Sequence, residues 1–369
     1  MKFTCSQQSL SKALNTVSKA VTTRTTIPIL KGILLETEGS QLKLAASDLD
    51  LSIEKRIDVE VQEEGSLVVS SRLFSDIIRK LPGADVEIEE MENNTVIIRC
   101  LASEFTIVGQ PADEFPNIGD VGEDQRLLFN KELFKDMVKK TSFAASIDES
   151  KGIIVGVLID MTADGLTMVA LDGFRMAITR EAVKNEEEKK IVISARILNE
   201  ICKIISDSDE SDDISLILDE KRAVVLADQT KIVLRLLEGE FIKYRDILPK
   251  EHRTRVTVGK SDLLSSIERA SLLAKEGKNN LIKISVGDGT LTITSRSEEG
   301  NVKEEVAIVR DGEDLEIGFN SKYVLDVLKV VSDDEVAMEF NNSVSPCLVK
   351  PVEGDAYEYL ILPVRISGN

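Results

Sequence analysis

The chain has no tryptophan and only one histidine, His252, in 369 residues. One imidazole cannot supply a zinc site built on several His, an HExxH metalloprotease helix or a Ser-His-Asp set repeated across domains. Aromatic residues make up 4% of the chain, too few for the platforms on which single-stranded bases stack. Four cysteines, Cys5, Cys100, Cys202 and Cys347, lie far apart with no CxxC pair. They read as free, buried thiols and not as a metal site or a disulfide framework. There is no GxGxxG, no GxxxxGK[ST] and no GxSxG. No apolar run reaches the ~18 residues of a membrane span. The opening MKFTCSQQSL has no apolar signal stretch, so the expected compartment is the cytoplasm. No metal or cofactor is expected. Catalysis would have to rest on the 65 Asp and Glu, which read as solvated surface, so the chain is expected not to be an enzyme.

What is present is an ordinary globular composition, 42% apolar and 30% charged, long enough for two or three domains. The chain also repeats itself. GILLETEGSQLKLAASDLDLSI from Gly32, GVLIDMTADGLTMVALDGFRMAI from Gly156 and LIKISVGDGTLTITSRS from Leu281 share a strand–turn–strand pattern. Alternating apolar residues flank EGS, ADG and GDG, as in hairpins. Helical patterns recur too. QQSLSKALNTVSKAV, NKELFKDMVKKTSFAA and GKSDLLSSIERASLLA each follow a short strand, with Ser, Asn or Ser-Asp at the helix entry, where a side-chain oxygen caps free N–H groups. A second set is SSRLFSDIIRKLPG, SARILNEICKIIS and NSKYVLDVLKVVS. The spacing predicts three similar units, 1–122, 123–249 and 250–369, each α+β with two helices on antiparallel sheets.

Net charge is -19, which by itself argues against nucleic acid, because phosphate binding depends on Lys and Arg. The distribution reverses that. The six helical windows hold 17 Lys and Arg against 7 Asp and Glu, a net of +10, so the remainder carries -29. Six basic helices in an acidic chain give a segregated field suited to a polyanion on one surface. The plain alternative is that Lys and Arg favour helices, though Glu does so equally. Read on residues alone, ALDGFRMA is a hairpin corner with Arg175 in solvent, and YEYLILPVRI is a last core strand that stops pairing at Pro363.

These residues resemble the bacterial sliding clamp family, the beta subunit of DNA polymerase III. The resemblance spans the chain and is carried by MKFT, TTIPILKGILLE with Arg24 before it, LPGADVEI, PADEFPNI, ALDGFRMA, EGEFIKYRDILP, EIGFNSKYVLDVLK and YLILPVRI. It implies a non-catalytic processivity factor with three similar domains per chain. It also implies a head-to-tail homodimer closed into a ring, helices inside and sheets outside, around duplex DNA bound without regard to sequence. Partners, namely the replicative polymerase, clamp loader and repair proteins, are expected to dock short linear peptides. The implied pocket comprises Ile154, Leu171, Gly173, Phe174, Arg175, Met176, Ile242, Ile247, Asn320, Tyr323, Val344 and Pro346, with Leu360, Ile361, Leu362, Pro363, Val364 and Arg365 from the tail. For DNA the resemblance points to Arg24, and helix position and charge add Arg72, Arg79, Lys80, Arg196 and Lys203, with Lys151 from the loop SIDESKGII. For the dimer it points to Leu272 and Leu273 against Phe105 and Ile107. The rival readings are a carboxylate hydrolase using Asp48, Asp50 or Asp172, and a scaffold that binds partners but not DNA.

Overall fold

The computed structural model describes residues 1–22, 25–119, 126–184, 188–207, 212–219 and 221–366. Six α-helices are present among them: α1 (Gln7–Val17), α2 (Ser71–Lys80), α3 (Lys131–Thr141), α4 (Ala195–Ser206), α5 (Lys260–Ala274) and α6 (Ser321–Leu328). Each follows directly on a strand, as the repeat pattern predicts. The strand ladders are antiparallel throughout the described residues. None of the described helices is long and apolar enough to cross a membrane.

Entry chemistry explains why these helices begin where they do. The Ser6 hydroxyl accepts from the Ser9 N–H at 3.1 Å. The Asn130 Oδ1 accepts from the N–H groups of Glu132 and Leu133, both at 3.1 Å. The Asn320 Oδ1 accepts from Lys322 N–H at 3.0 Å. Each bond satisfies a donor that has no partner within the helix. The Ser-Asp expected to cap α5 does not do so. Gly259 holds that position without a side-chain bond, and Asp262 lies in the first turn, where its charge faces the positive end of the helix dipole.

The chain falls into two compact units. The first comprises Met1–Leu133 and Glu200–Leu236, the second Phe134–Asn199 and Leu237–Asn369. The first unit holds a five-stranded sheet, with Lys2–Ser6 near one edge and Ser103–Val108 at the other, and a nine-stranded sheet. In α1, Leu10, Ala13, Leu14 and Val17 are buried, the i, i+3, i+4, i+7 face of an amphipathic helix. Phe74, Ile77 and Ile78 do the same for α2, and the two helices pack together. The second unit is built on one twelve-stranded sheet running from Lys189–Ser194 through Arg175–Glu181 and Tyr357–Ile361 to Leu315–Asn320. There α5 buries Leu263, Ile267, Ala270 and Ala274 and packs on α6. Each Leu, Ile, Val or Phe among these, fully buried, contributes about 1.5–3 kcal/mol.

None of the four cysteines is in a disulfide, and three are buried. Cys202 is only half-buried, a departure from the expectation. Burial pushes the Cys5 thiol up to about 12, so it is not a thiolate at neutral pH.

Candidate functional site

The second unit carries the expected pocket. Its frame is the turn at Asp172. The Asp172 Oδ1 accepts from the N–H groups of Phe174 (2.9 Å) and Arg175 (3.1 Å). Gly173 sits between them at φ +92° with open space where a Cβ would stand, a backbone region that glycine enters freely. The turn leaves Phe174 58% exposed and Arg175 8% exposed. Arg175 is therefore not the solvated corner residue that the bare sequence suggests. Its guanidinium donates to Asp172 Oδ2 (3.0 Å), Asp326 Oδ2 (2.5 Å) and the Phe143 carbonyl (2.9 Å). It also lies 5.3 Å from the Phe143 ring centroid and 4.8 Å from that of Tyr323, within cation–π range. Arg175 supports the pocket from beneath, and Phe174 stacks on Tyr323 with centroids 6.0 Å apart.

Two groups of this cradle are displaced from their ordinary pKa values. Burial pushes the Asp326 carboxyl up, but the Lys322 ammonium and the Arg175 guanidinium outweigh it, and its pKa falls below the ordinary value. Burial and the Asp172 charge raise the Tyr323 phenol.

Next to the cradle lies an apolar cluster. Leu171, Met176 and Leu360 are buried in it, with Leu158, Val169, Val192 and Tyr244, and Ile154, Leu362, Phe241 and Leu248 pack against it half-buried. Leu171 and Met176 are directly opposed across two strands. The strand Tyr357–Ile361 pairs with Arg175–Glu181 and then ends. Leu362 N–H donates to the Phe174 carbonyl at 2.9 Å, and Val364 N–H to the Gly318 carbonyl at 2.8 Å. A Cβ on Gly318 would stand 2.7 Å from the Val364 oxygen, so glycine is required where the tail crosses. Leu362, Pro363 and Val364 stay half-buried and Arg365 is exposed. Ile242 and Ile247, at 41% and 44%, are exposed on the connecting segment.

Several of the expected residues have structural roles. Ile361 is 1% exposed and belongs to the core. Asn320 serves as the cap of α6. Val344 is exposed on a turn held by Asn342 Oδ1, and Pro346 leads into Cys347, which pairs with Ile361. Sequence reasoning missed Asp326, Phe143 and Tyr244. One signal for the turn was available: Asp and Arg three apart recur at Asp219 and Arg222, with the same N–H bonds to Oδ1 and an Arg Nε–Oδ2 distance of 3.2 Å.

Among the expected DNA contacts, Arg24 lies outside the described residues. Arg72, Arg79 and Lys80 on α2 are exposed, as are Arg196 and Lys203 on α4 and Lys151 in the 149–155 turn. Arg79 pairs with Asp76 (2.5 Å) and Lys203 with Glu200 (2.8 Å). Arg72 and Lys80 have no ion-pair partner among the described residues. Of the expected dimer residues, Leu272 is 65% exposed and Phe105 41%, and Leu273 is half-buried. Ile107 is 7% exposed within its own unit, so it presents little surface. Val108, 76% exposed, is the second apolar residue that this edge strand offers. Of the hydrolase candidates Asp48, Asp50 and Asp172, Asp48 and Asp172 accept backbone N–H bonds in turns, which is a structural role.

The chain matches the DNA polymerase III beta subunit over its N-terminal domain (residues 1–119), central domain (129–243) and C-terminal domain (245–365). It belongs to the DNA polymerase III beta subunit family. It is 36% identical to a beta sliding clamp of Staphylococcus epidermidis, over 99% of each chain. It is 35% identical to one of Staphylococcus aureus with the same coverage. Among solved structures, the DNA polymerase sliding clamp from Bacillus subtilis superposes with a TM-score of 0.95 at 33% identity, covering all of both chains. A putative DNA polymerase III beta subunit from Eubacterium rectale does so with 0.95 at 36%, over 99% of this chain and all of that one. As a beta subunit the chain is a non-catalytic DNA clamp that confers processivity in DNA replication. The hydrolase reading is not favoured.

Proposed function

We propose that two copies of this chain close head to tail into a ring around duplex DNA in the cytoplasm, each divided as 1–122, 123–249 and 250–369. The basic helical faces, with Arg72, Arg79, Lys80, Arg196 and Lys203, line the bore, and with Lys151 and Arg24 they meet phosphate without reading sequence. Leu272 and Leu273 of one copy pack against the edge strand carrying Phe105 in the other. The polymerase, clamp loader and repair proteins dock through short peptides on the surface between Phe174 and Leu362. The observation that carries this reading is the exposed apolar rim of Phe174, Ile242 and Ile247 around a buried apolar cluster. Such a patch marks a binding site. A few buried Leu- or Phe-type anchors then supply most of the affinity.

The test is fluorescence anisotropy with a labelled peptide bearing Leu and Phe anchors, on the full chain and on a chain ending at Ile361, with circular dichroism as the folding control. Binding lost from a folded truncation supports the pocket, and equal affinities dismiss it. Light scattering reads the ring: Leu272→Ala with Leu273→Ala converts dimer to monomer, at about 2–5 kcal/mol for each side chain buried in the interface.

A further inference from the structure

A second cleft opens in the second unit, about 550 Å³ in volume, and Ile242 lines it. Its apolar side is Leu158, Val192, Phe241 and Tyr244, all members of the cluster beneath the peptide pocket. At its base is an acid that the pocket does not use. Asp160 is 2% exposed, and its Oδ1 has no hydrogen-bond partner among the described residues. Its Oδ2 is only loosely held, with Lys190 Nζ at 3.4 Å and Arg245 at 3.8 Å, and both of those side chains are about two-thirds exposed. Lys190 stands directly across the ladder from Asp160, and Arg245 leans over the Tyr244 ring at 5.4 Å. A buried carboxylate oxygen without a donor is costly, and native proteins supply one from protein, water or ligand.

We propose that this cleft receives the residues of a partner peptide that flank the segment in the apolar pocket, and that Asp160 selects there a neutral hydrogen-bond donor, an amide or a hydroxyl. The inference rests on the pocket reading above. Continuity argues for a peptide, since Ile242 borders the cleft and belongs to the expected pocket. Charge balance argues for a neutral donor. The cleft is lined by Asp160, Glu240 and Asp246 against Lys190, Lys243 and Arg245. A guest cation would meet Lys190 and Arg245 already at the carboxylate. A guest anion would meet the unpaired oxygen itself. An amide or hydroxyl satisfies that oxygen and leaves the balance intact, with its apolar stem against Phe241 and Leu158.

Four fluorescein peptides test this by anisotropy on the full chain: a Leu- and Phe-anchored peptide, and the same peptide lengthened at both ends by Ala-Ala-Ala, Ala-Asn-Ala or Ala-Asp-Ala. The Asn-flanked peptide should bind about tenfold tighter than the Ala-flanked one, the size of one hydrogen bond to a charged group. The Asp-flanked peptide should bind no tighter than the Ala-flanked one. Asp160→Ala should remove the tenfold and leave the unflanked peptide's affinity unchanged, which also reports an intact fold. Equal binding of the Ala- and Asn-flanked peptides to the unaltered chain overturns the inference without touching the pocket, and a variant is not needed for that result. A tenfold gain that survives in Asp160→Ala overturns it too. Failure of the unflanked peptide to bind removes the pocket reading, and this inference with it.

Discussion

The turn at Asp48 in the first unit and the turn at Asp172 in the second occupy the same place in the repeat, yet only one carries a pocket. Both are held by an aspartate oxygen accepting N–H bonds from residues two and three further on. What differs is what the turn presents. Across the strands, Ser47 faces Ser52 in the first unit, hydroxyl to hydroxyl at 2.8 Å. The corresponding pair in the second unit is Leu171 and Met176, inside the apolar cluster. Position three of the turn is Leu51, fully buried opposite Leu234, and in the second unit it is Arg175 opposite Ile361. The neighbouring strand Thr230–Arg235 leads to Leu236, whose N–H is tied to the Lys221 carbonyl. The neighbouring strand Tyr357–Ile361 leads instead into the half-buried tail. The repeat therefore supplies a scaffold, and a handful of side chains decides what surface it presents.

The comparison breaks most visibly if the polar pair is moved across. Leu171→Ser with Met176→Ser should lower peptide affinity by about 100-fold or more, measured by anisotropy, and lower stability by about 2–5 kcal/mol per site. Arg175→Met should cost about 3 kcal/mol in denaturant unfolding at neutral pH, because it strips a partner from the Asp172 and Asp326 carboxylates. The folded-state pKa of Asp326 is depressed. Its contribution is thus fully present above the unfolded value of about 3.9 and lost as pH falls through the folded one. The gap between Arg175→Met and the unaltered chain should accordingly narrow below about pH 4. A gap that stayed constant with pH would mean Arg175 acts by packing alone.

Smaller effects sharpen the same contrast. Leu49 holds φ +77° where the second unit has Gly173. Gly173→Ala should destabilise by about 1–2 kcal/mol, and Leu49→Gly should be close to neutral, since relief of left-handed strain offsets the added freedom of the unfolded chain. Thermal melts compare the two. The smallest change is expected from Ser47→Leu with Ser52→Met, which should create no detectable peptide binding in the first unit, because no free tail follows its neighbouring strand. Specific binding there would show that the apolar pair alone suffices.

The repeat was legible in the sequence because Gly32 and Gly156, Asp48 and Asp172, and Phe115 and Phe241 keep nearly constant offsets. All six helices follow from it. The apolar part of the site was legible through the resemblance, and the run Leu360–Ile366 was visible even without it. The buried role of Arg175 was not legible, because its partners Asp326 and Phe143 lie far away in the chain and an Arg in a turn normally points to water. Asp160 was hidden for a similar reason. It sits in the strand GVLIDMT, buried on both faces as far as Met161, and a polar residue in such a run does not show that a later segment covers it without giving it a donor.

The Arg175 cradle has a consequence for how the clamp responds to its surroundings. A guanidinium keeps its proton at any pH a cell reaches. Asp326 is displaced downward and Tyr323 upward, both away from neutrality. The single imidazole of the chain, His252, stands beside Glu339 instead. Mild acidification therefore leaves Asp326 ionised and Tyr323 protonated, so the frame of the proposed docking surface keeps its Arg175–Asp326 pair.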